Sequence, residues 1–133
     1  MERGFPGVKV KIGRKESRED EKRVEAVRNL AGDDVDLMVD AKMAWVAGEA
    51  LERGRRLEQY RLYWYEEPTI PEYVAGHATI SREMNVPVAV RESLHSPHEF
   101  RRYVDEWAAG VLQVDPSTNG GITALLRAPE MAD

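Results

Sequence analysis

Apolar residues along this chain come in short runs, each followed by a stretch in which they recur at helical spacing. Val8 to Ile12 alternates apolar residues with Lys9 and Lys11, which predicts a strand that Gly13 closes. Ser17, with Asp20 three residues on, resembles a capping box, and Val24, Val27, Leu30 and Ala31 then mark a helix that stops at Gly32. Leu37 to Val39, bounded by Asp36 and Asp40, predicts a second strand, and Ala47, Ala50, Leu51 and Leu57 mark the inner face of a second helix, weakened by Gly54. Tyr63 to Tyr65 is a third strand ending at Glu66-Glu67-Pro68, followed by a helix with Tyr73, His77, Ile80 and Met84 on one face. Val86 to Val90 is a fourth strand with Pro87 near its start; Ser96, Pro97 and Glu99 then supply an N-cap, a first-turn proline and a capping-box acid. Phe100, Tyr103, Val104 and Trp107 are the expected inner stripe of that helix. Val111 to Val114 is a fifth strand, Gly120-Gly121 turns the chain, and Ile122, Leu125 and Leu126 begin a fifth helix.

Strands alternating with helices imply right-handed crossovers and a parallel sheet buried on both faces. The class is therefore α/β, and a doubly wound domain and a barrel both explain the alternation. A closed barrel of this kind takes about 250 residues. Five strand-helix units in 133 residues are expected to form a partial TIM-like (β/α) barrel, with residues 1–133 as a single partial domain.

Composition narrows the possible partners. The 19 Lys and Arg are interspersed among 24 Asp and Glu, giving a net charge of −5, which argues against nucleic acid or an anionic membrane as the partner. Neither a bilayer-spanning apolar run nor a signal-peptide core is present, so a cytoplasmic location is expected. The chain has no cysteine, which leaves oxygen ligands, imidazoles and amines to carry any chemistry.

Polar residues stand at the end of every predicted strand: Lys9 and Lys11, then Asp40, Glu66, Glu92 and Asp115. From Lys11 onward the intervals are 29, 26, 26 and 23 residues, each about one strand-helix unit. In a parallel barrel these ends converge on the face where active sites form. Any one of the carboxylates alone reads better as a solvated charge at a loop start; regular placement is what favours a site. Three carboxylates on adjacent strands repel unless a cation lies between them, and an all-oxygen set favours Mg2+, with Mn2+ as the alternative. Lys9 and Lys11 alternate on their strand and face the same way. Two ammonium groups so placed favour loss of a proton from one, and hence base function, although an edge strand also uses lysine pairs against aggregation.

These motifs carry a resemblance. Gly4-Phe5, Lys9-Val10-Lys11-Ile12-Gly13, Val39-Asp40-Ala41, Glu66-Glu67-Pro68, Glu92-Ser93, and Asp115 with Gly120-Gly121-Ile122-Thr123 together resemble the mandelate racemase and acid-sugar dehydratase group of the enolase superfamily. The resemblance covers nearly the whole chain. It implies that Asp40, Glu66 and Glu92 bind Mg2+, that Lys11 is a general base with Lys9 as its electrostatic partner, and that Asp115 orients a histidine on a following strand. It further implies a carboxylate substrate, a hydroxy acid or sugar acid losing its α-proton through an enediolate, with racemisation or dehydration as the outcome. A homo-oligomer is also implied, as are a capping domain before this region and further strands after it. Without those parts this chain alone is expected to be inactive.

The sequence departs from the group's pattern at Lys42, where a polar amide is usual, and at Arg91, where glycine is usual. Neither His77, on the third helix, nor His95 and His98, at the start of the fourth, replaces the histidine partner of Asp115. Trp45, Trp64 and Trp107 read as core or barrel-wall aromatics. Two other readings stay open: a cycloisomerase or epimerase of the same superfamily, less favoured because Asp115 stands where those enzymes place a lysine, and a non-catalytic fragment or pairing module.

Overall fold

The period-two alternation of Val8, Val10 and Ile12 with two lysines becomes strand β1, Gly7–Lys11, and the four later apolar runs become β2 (Asp36–Asp40), β3 (Leu62–Glu66), β4 (Val88–Val90) and β5 (Val111–Leu112). The structure is a computed structural model that describes residues 4–90, 94, 96–115 and 117. Helices α1 (Ser17–Ala31), α2 (Ala47–Leu57), α3 (Val74–Glu83) and α4 (Pro97–Asp105) fall between the strands, with a 3-10 turn at Glu58–Tyr60. The expected fifth helix lies outside the described residues. Two strands are shorter than expected. β4 begins only after Pro87, which has no N–H to give the ladder, and β5 stops at Leu112, although Gln113 N–H still donates to Val90 O at 2.8 Å.

All five strands are parallel and their order is β1-β2-β3-β4-β5. A doubly wound sheet reverses its strand order at a switch point, and this one does not reverse. Successive right-handed crossovers therefore lay every helix on the same face, and α1 packs on α2, α2 on α3 and α3 on α4. Of the two folds that explain the alternation, this is a stretch of barrel wall.

Register fixes which side chains face which way. Val10, Val39, Tyr65 and Val88 are successive partners across four strands, and all four are buried against the helices with Val24, Ala50 and Ile80. Because side chains alternate along a strand, the next row faces away from the helices. That row is Lys11, Asp40, Glu66 and Ala89. Gly54, which weakens α2 as a helix, allows it to approach the sheet: a Cβ there would lie 2.7 Å from Met84 Sδ and 2.8 Å from Tyr65 Cε1. The Tyr65 hydroxyl in turn donates to Ala50 O at 3.1 Å, and burial pushes its pKa up.

Three details of the helices differ from the sequence pattern. Leu30 is 86% exposed, because six residues on from the buried Val24 it points about 120° away from it around the helix; Arg28, about one turn on from Val24, is buried instead. At α1 the capping box does not form: Ser17 Oγ donates to Glu21, and Asp20 turns back to accept from Gly13 N–H and Arg14 N–H at 2.9 and 2.8 Å. Trp107 lies beyond the end of α4 at a left-handed φ of 53° and is 85% exposed, so it leaves the inner stripe that Phe100 and Tyr103 hold. The Ser96–Glu99 box at α4 does form, with reciprocal bonds of 3.3 and 2.9 Å.

A candidate metal and acid-base site at the strand ends

Asp40 and Glu66 close their strands on adjacent, register-matched positions, and each is fully buried. A buried carboxylate needs compensating charge and hydrogen bonds. β1 supplies both counter-charges. The Lys9 ammonium donates to both oxygens of Glu66, at 2.9 and 2.8 Å, and also lies 3.9 Å from Asp40 Oδ2; the Lys11 ammonium pairs with that same Asp40 oxygen. The two lysines, a third and a half exposed along their side chains, thus spread over the carboxylates on the open side of the sheet.

Two further donors complete these carboxylates. Trp64, two residues before Glu66 and so on the same side of β3, donates its indole N–H to Glu66 Oε2 at 3.1 Å. Lys42 N–H donates to Asp40 Oδ1 at 2.9 Å. Sequence reasoning assigned Trp64 to the wall and missed this contact; the signal was its spacing of two from an acidic residue on a strand.

Three of the five left-handed non-glycine residues among those described lie on the same face. Lys42 and Met43 at φ 50° and 59°, and Glu67 at φ 43°, occupy the left-handed region that non-glycine residues seldom adopt. Ties between the loops hold them there: Ala41 N–H donates to Glu66 O, Met43 N–H to Glu67 O and Glu67 N–H to Ala89 O. Gly13, at φ 114°, lets the loop after β1 approach Ala41 O and Ala44, which a Cβ would meet at 3.1 Å. Asp20 pins that same loop through Gly13 and Arg14. The Lys42 side chain is exposed and forms no ion pair among the described residues.

The structure brings four of the expected site residues together: Lys9, Lys11, Asp40 and Glu66. Asp115 lies three residues past β5, where its carboxylate accepts from Ser117 Oγ at 2.7 Å and Ser117 N–H at 2.8 Å; these bonds hold its pKa below the usual carboxylate value. Glu92 and Arg91 lie outside the described residues. Register places Ala89, not a carboxylate, in the row of Asp40 and Glu66, so Glu92 follows three residues further along. Among the described residues no three carboxylates or imidazoles come together as a metal cage. The pair of Asp40 and Glu66 nevertheless fits a hard cation: both are oxygen donors, both are buried, and one ammonium already lies within 3.9 Å of both.

His77 takes no part in this site. It is buried between α3 and α4, its ring edge-on to Tyr103, with Nδ1 3.3 Å from Tyr73 O and 3.2 Å from the Tyr103 hydroxyl. That hydroxyl donates its one proton to Pro71 O, so Nδ1 carries the hydrogen and donates. Burial lowers the His77 pKa to about 4, against which the bond to Tyr73 O pulls upward. No helix among the described residues is long and apolar enough to cross a membrane.

The chain is similar to known proteins in sequence and in fold. The arabinonate dehydratase of Saccharolobus solfataricus is 38% identical over 129 residues, covering 97% of this chain and 35% of that enzyme. The 3,6-anhydro-alpha-L-galactonate cycloisomerase of Streptomyces coelicolor is 38% identical over 130 residues, covering 98% of this chain and 36% of its own length. The crystal structure of L-talarate dehydratase from Polaromonas sp. JS666, complexed with Mg and L-glucarate, superposes with a TM-score of 0.94 at 37% identity, over 98% of this chain and 37% of that one. This chain spans about a third of the length of each of these relatives. Residues 1–133 also match, throughout, the family described as enolase C-terminal domain-like. With five parallel strands in sequential order and its full length matched, the chain belongs to that family and corresponds to part of its barrel.

Proposed function

We propose that this chain carries the base and metal side of a site that removes the proton α to the carboxylate of a hydroxy acid or sugar acid, with dehydration or racemisation as the outcome. The observation that carries the reading is the cluster itself: two fully buried carboxylates on neighbouring strand ends, faced by two ammonium groups from the strand beside them. Asp40 and Glu66, with Glu92 as the third carboxylate, would hold Mg2+. Bound there, the ion would offset the second negative charge that an enediolate places on the substrate carboxylate.

The chain's own groups divide the remaining work. Lys11, the last residue of β1 and the more exposed of the two, first gives a proton to solvent and then, as the neutral amine, accepts the α-proton at Nζ. Lys9 stays charged and faces the developing negative charge. Trp64 fixes the rotamer of Glu66, and the Lys42 N–H does the same for Asp40, so each carboxylate keeps one oxygen oriented. Asp115 belongs to the opposite side of the site, where its role would be to orient a second acid-base group. Turnover also draws on a second acid-base side and on a cover that excludes water.

Calorimetric titration with a sugar acid, L-glucarate for example, tests the reading. Binding that requires Mg2+ and disappears in Glu66→Gln is expected. A chain that binds Mg2+ yet gives no heat with any hydroxy or sugar acid would sink the assignment. A cycloisomerase relative at the same identity as the dehydratase supports a second reading, in which the same proton abstraction ends in ring opening or closure.

A further inference from the structure

We propose that the Lys9 ammonium is a built-in occupant of the cation seat between Asp40 and Glu66, so that loading a divalent ion is an exchange in which Lys9 must first swing out. The inference rests on the metal reading above. Lys9 satisfies both oxygens of Glu66 and lies 3.9 Å from Asp40, which is the geometry of a cation shared between two carboxylates. Neither carboxylate is in contact with solvent, so either would carry a large desolvation cost without a positive partner. The indole of Trp64 is neutral and does not supply that charge. Among the described residues, Lys11 pairs with Asp40 and is half exposed, and Lys9 is the ammonium that reaches both carboxylates.

The exchange is possible because the Lys9 side chain is a third exposed and rises from the open face of β1. A flexible amine released from Glu66 finds water at once, and its freed charge then faces the mouth, where an anionic substrate arrives. One residue thereby holds the folded carboxylates together before loading and presents an ammonium afterwards. The order of events follows: the divalent ion binds first, and the charge displaced by it prepares the seat of the substrate.

Magnesium titration by calorimetry separates this from a simple charge effect. Lys9→Met removes the occupant and is expected to tighten Mg2+ binding by about tenfold or more, since one buried-pair competitor is gone. Lys42→Met removes an equal charge from the residue whose backbone N–H binds Asp40 and whose exposed side chain has no carboxylate partner among the described residues, and is expected to tighten it by less than about threefold. Unchanged or weaker binding in Lys9→Met, or an equal gain in Lys42→Met, would overturn the exchange while leaving the metal site standing. Binding in none of the three chains would overturn the metal reading and the exchange with it. Where Lys9→Met fails to fold, Lys9→Gln keeps a neutral donor for Glu66 and carries the same comparison. The unaltered chain gives an independent readout in lysine 15N NMR. An ammonium signal protected from solvent without Mg2+ should lose protection at saturation, and one that stays protected would contradict the proposal.

Discussion

Buried charge is handled in opposite ways at the two ends of the sheet. At the N-terminal ends of the strands, Arg28 is buried and spends its guanidinium on four backbone carbonyls: Tyr60, Gly32, Val35 and Arg61, at 3.0, 2.7, 2.8 and 3.1 Å. These acceptors precede β2 and β3, so one side chain ties the end of α1 to two strand entrances. At the C-terminal ends, Asp40 and Glu66 are just as buried, but their charged partners among the described residues are the tips of two part-exposed lysines. The first arrangement has no exchangeable member. The second is built from side chains that reach solvent and can be exchanged, and three left-handed residues, Lys42, Met43 and Glu67, lie on that face, while Arg61 is left-handed at the other end. Fixed partners make a foundation, and replaceable partners make a site.

Removing the foundation should cost most. Arg28→Ala strands four carbonyls at a buried junction and is expected to lower stability by about 3 kcal/mol in denaturant unfolding, with the response to Mg2+ unchanged. A loss below about 1 kcal/mol would show that water replaces the guanidinium there and that the two ends differ less than the geometry says.

Acid should expose a third strategy, in which charge is avoided altogether. The His77 pKa is lowered to about 4 in the folded chain, so between about pH 6.5 and 4 the unfolded chain binds the proton more readily. Stability therefore falls as pH drops through that window, by up to about 3 kcal/mol, and no further below it on account of this residue. Comparing unfolding of the parent and His77→Phe at pH 7 and pH 4.5 isolates the effect from that of the carboxylates. Equal acid losses in both would remove His77 from the account.

The smallest effect belongs to the loop that carries β1 away from the site. Asp20→Ala leaves Gly13 N–H and Arg14 N–H without their carboxylate and is expected to cost about 1 kcal/mol, because water reaches part of this loop. Asp20→Asn, which keeps an acceptor, should recover most of that in the same melting experiment.

Much of this was legible in the sequence. Period-two alternation at Lys9 and Lys11, and acids closing successive apolar runs, were enough to put Lys9, Lys11, Asp40 and Glu66 on one face, because strand parity and parallel order leave little freedom. Barrel and doubly wound sheet were not separable from the alternation alone, since both use the same local unit; strand order decided it. Contacts that run between side chains distant in sequence stayed hidden. Nothing local to Arg28 signals four carbonyls, two of them supplied by a segment more than thirty residues away. Asp20 reads as a capping acid because its spacing from Ser17 is right, and only the close approach of the Gly13 loop redirects it. Trp107 has the spacing of an inner-stripe residue, but the helix ends before reaching it.

Thermal unfolding of the chain with and without millimolar Mg2+, beside Glu66→Gln, tests the central claim most directly. A melting temperature that rises with Mg2+ in the parent and not in the variant is predicted, since only a ligand that binds the folded state raises it. Equal shifts in both chains, or no shift in the parent, would contradict a cation site built on Asp40 and Glu66.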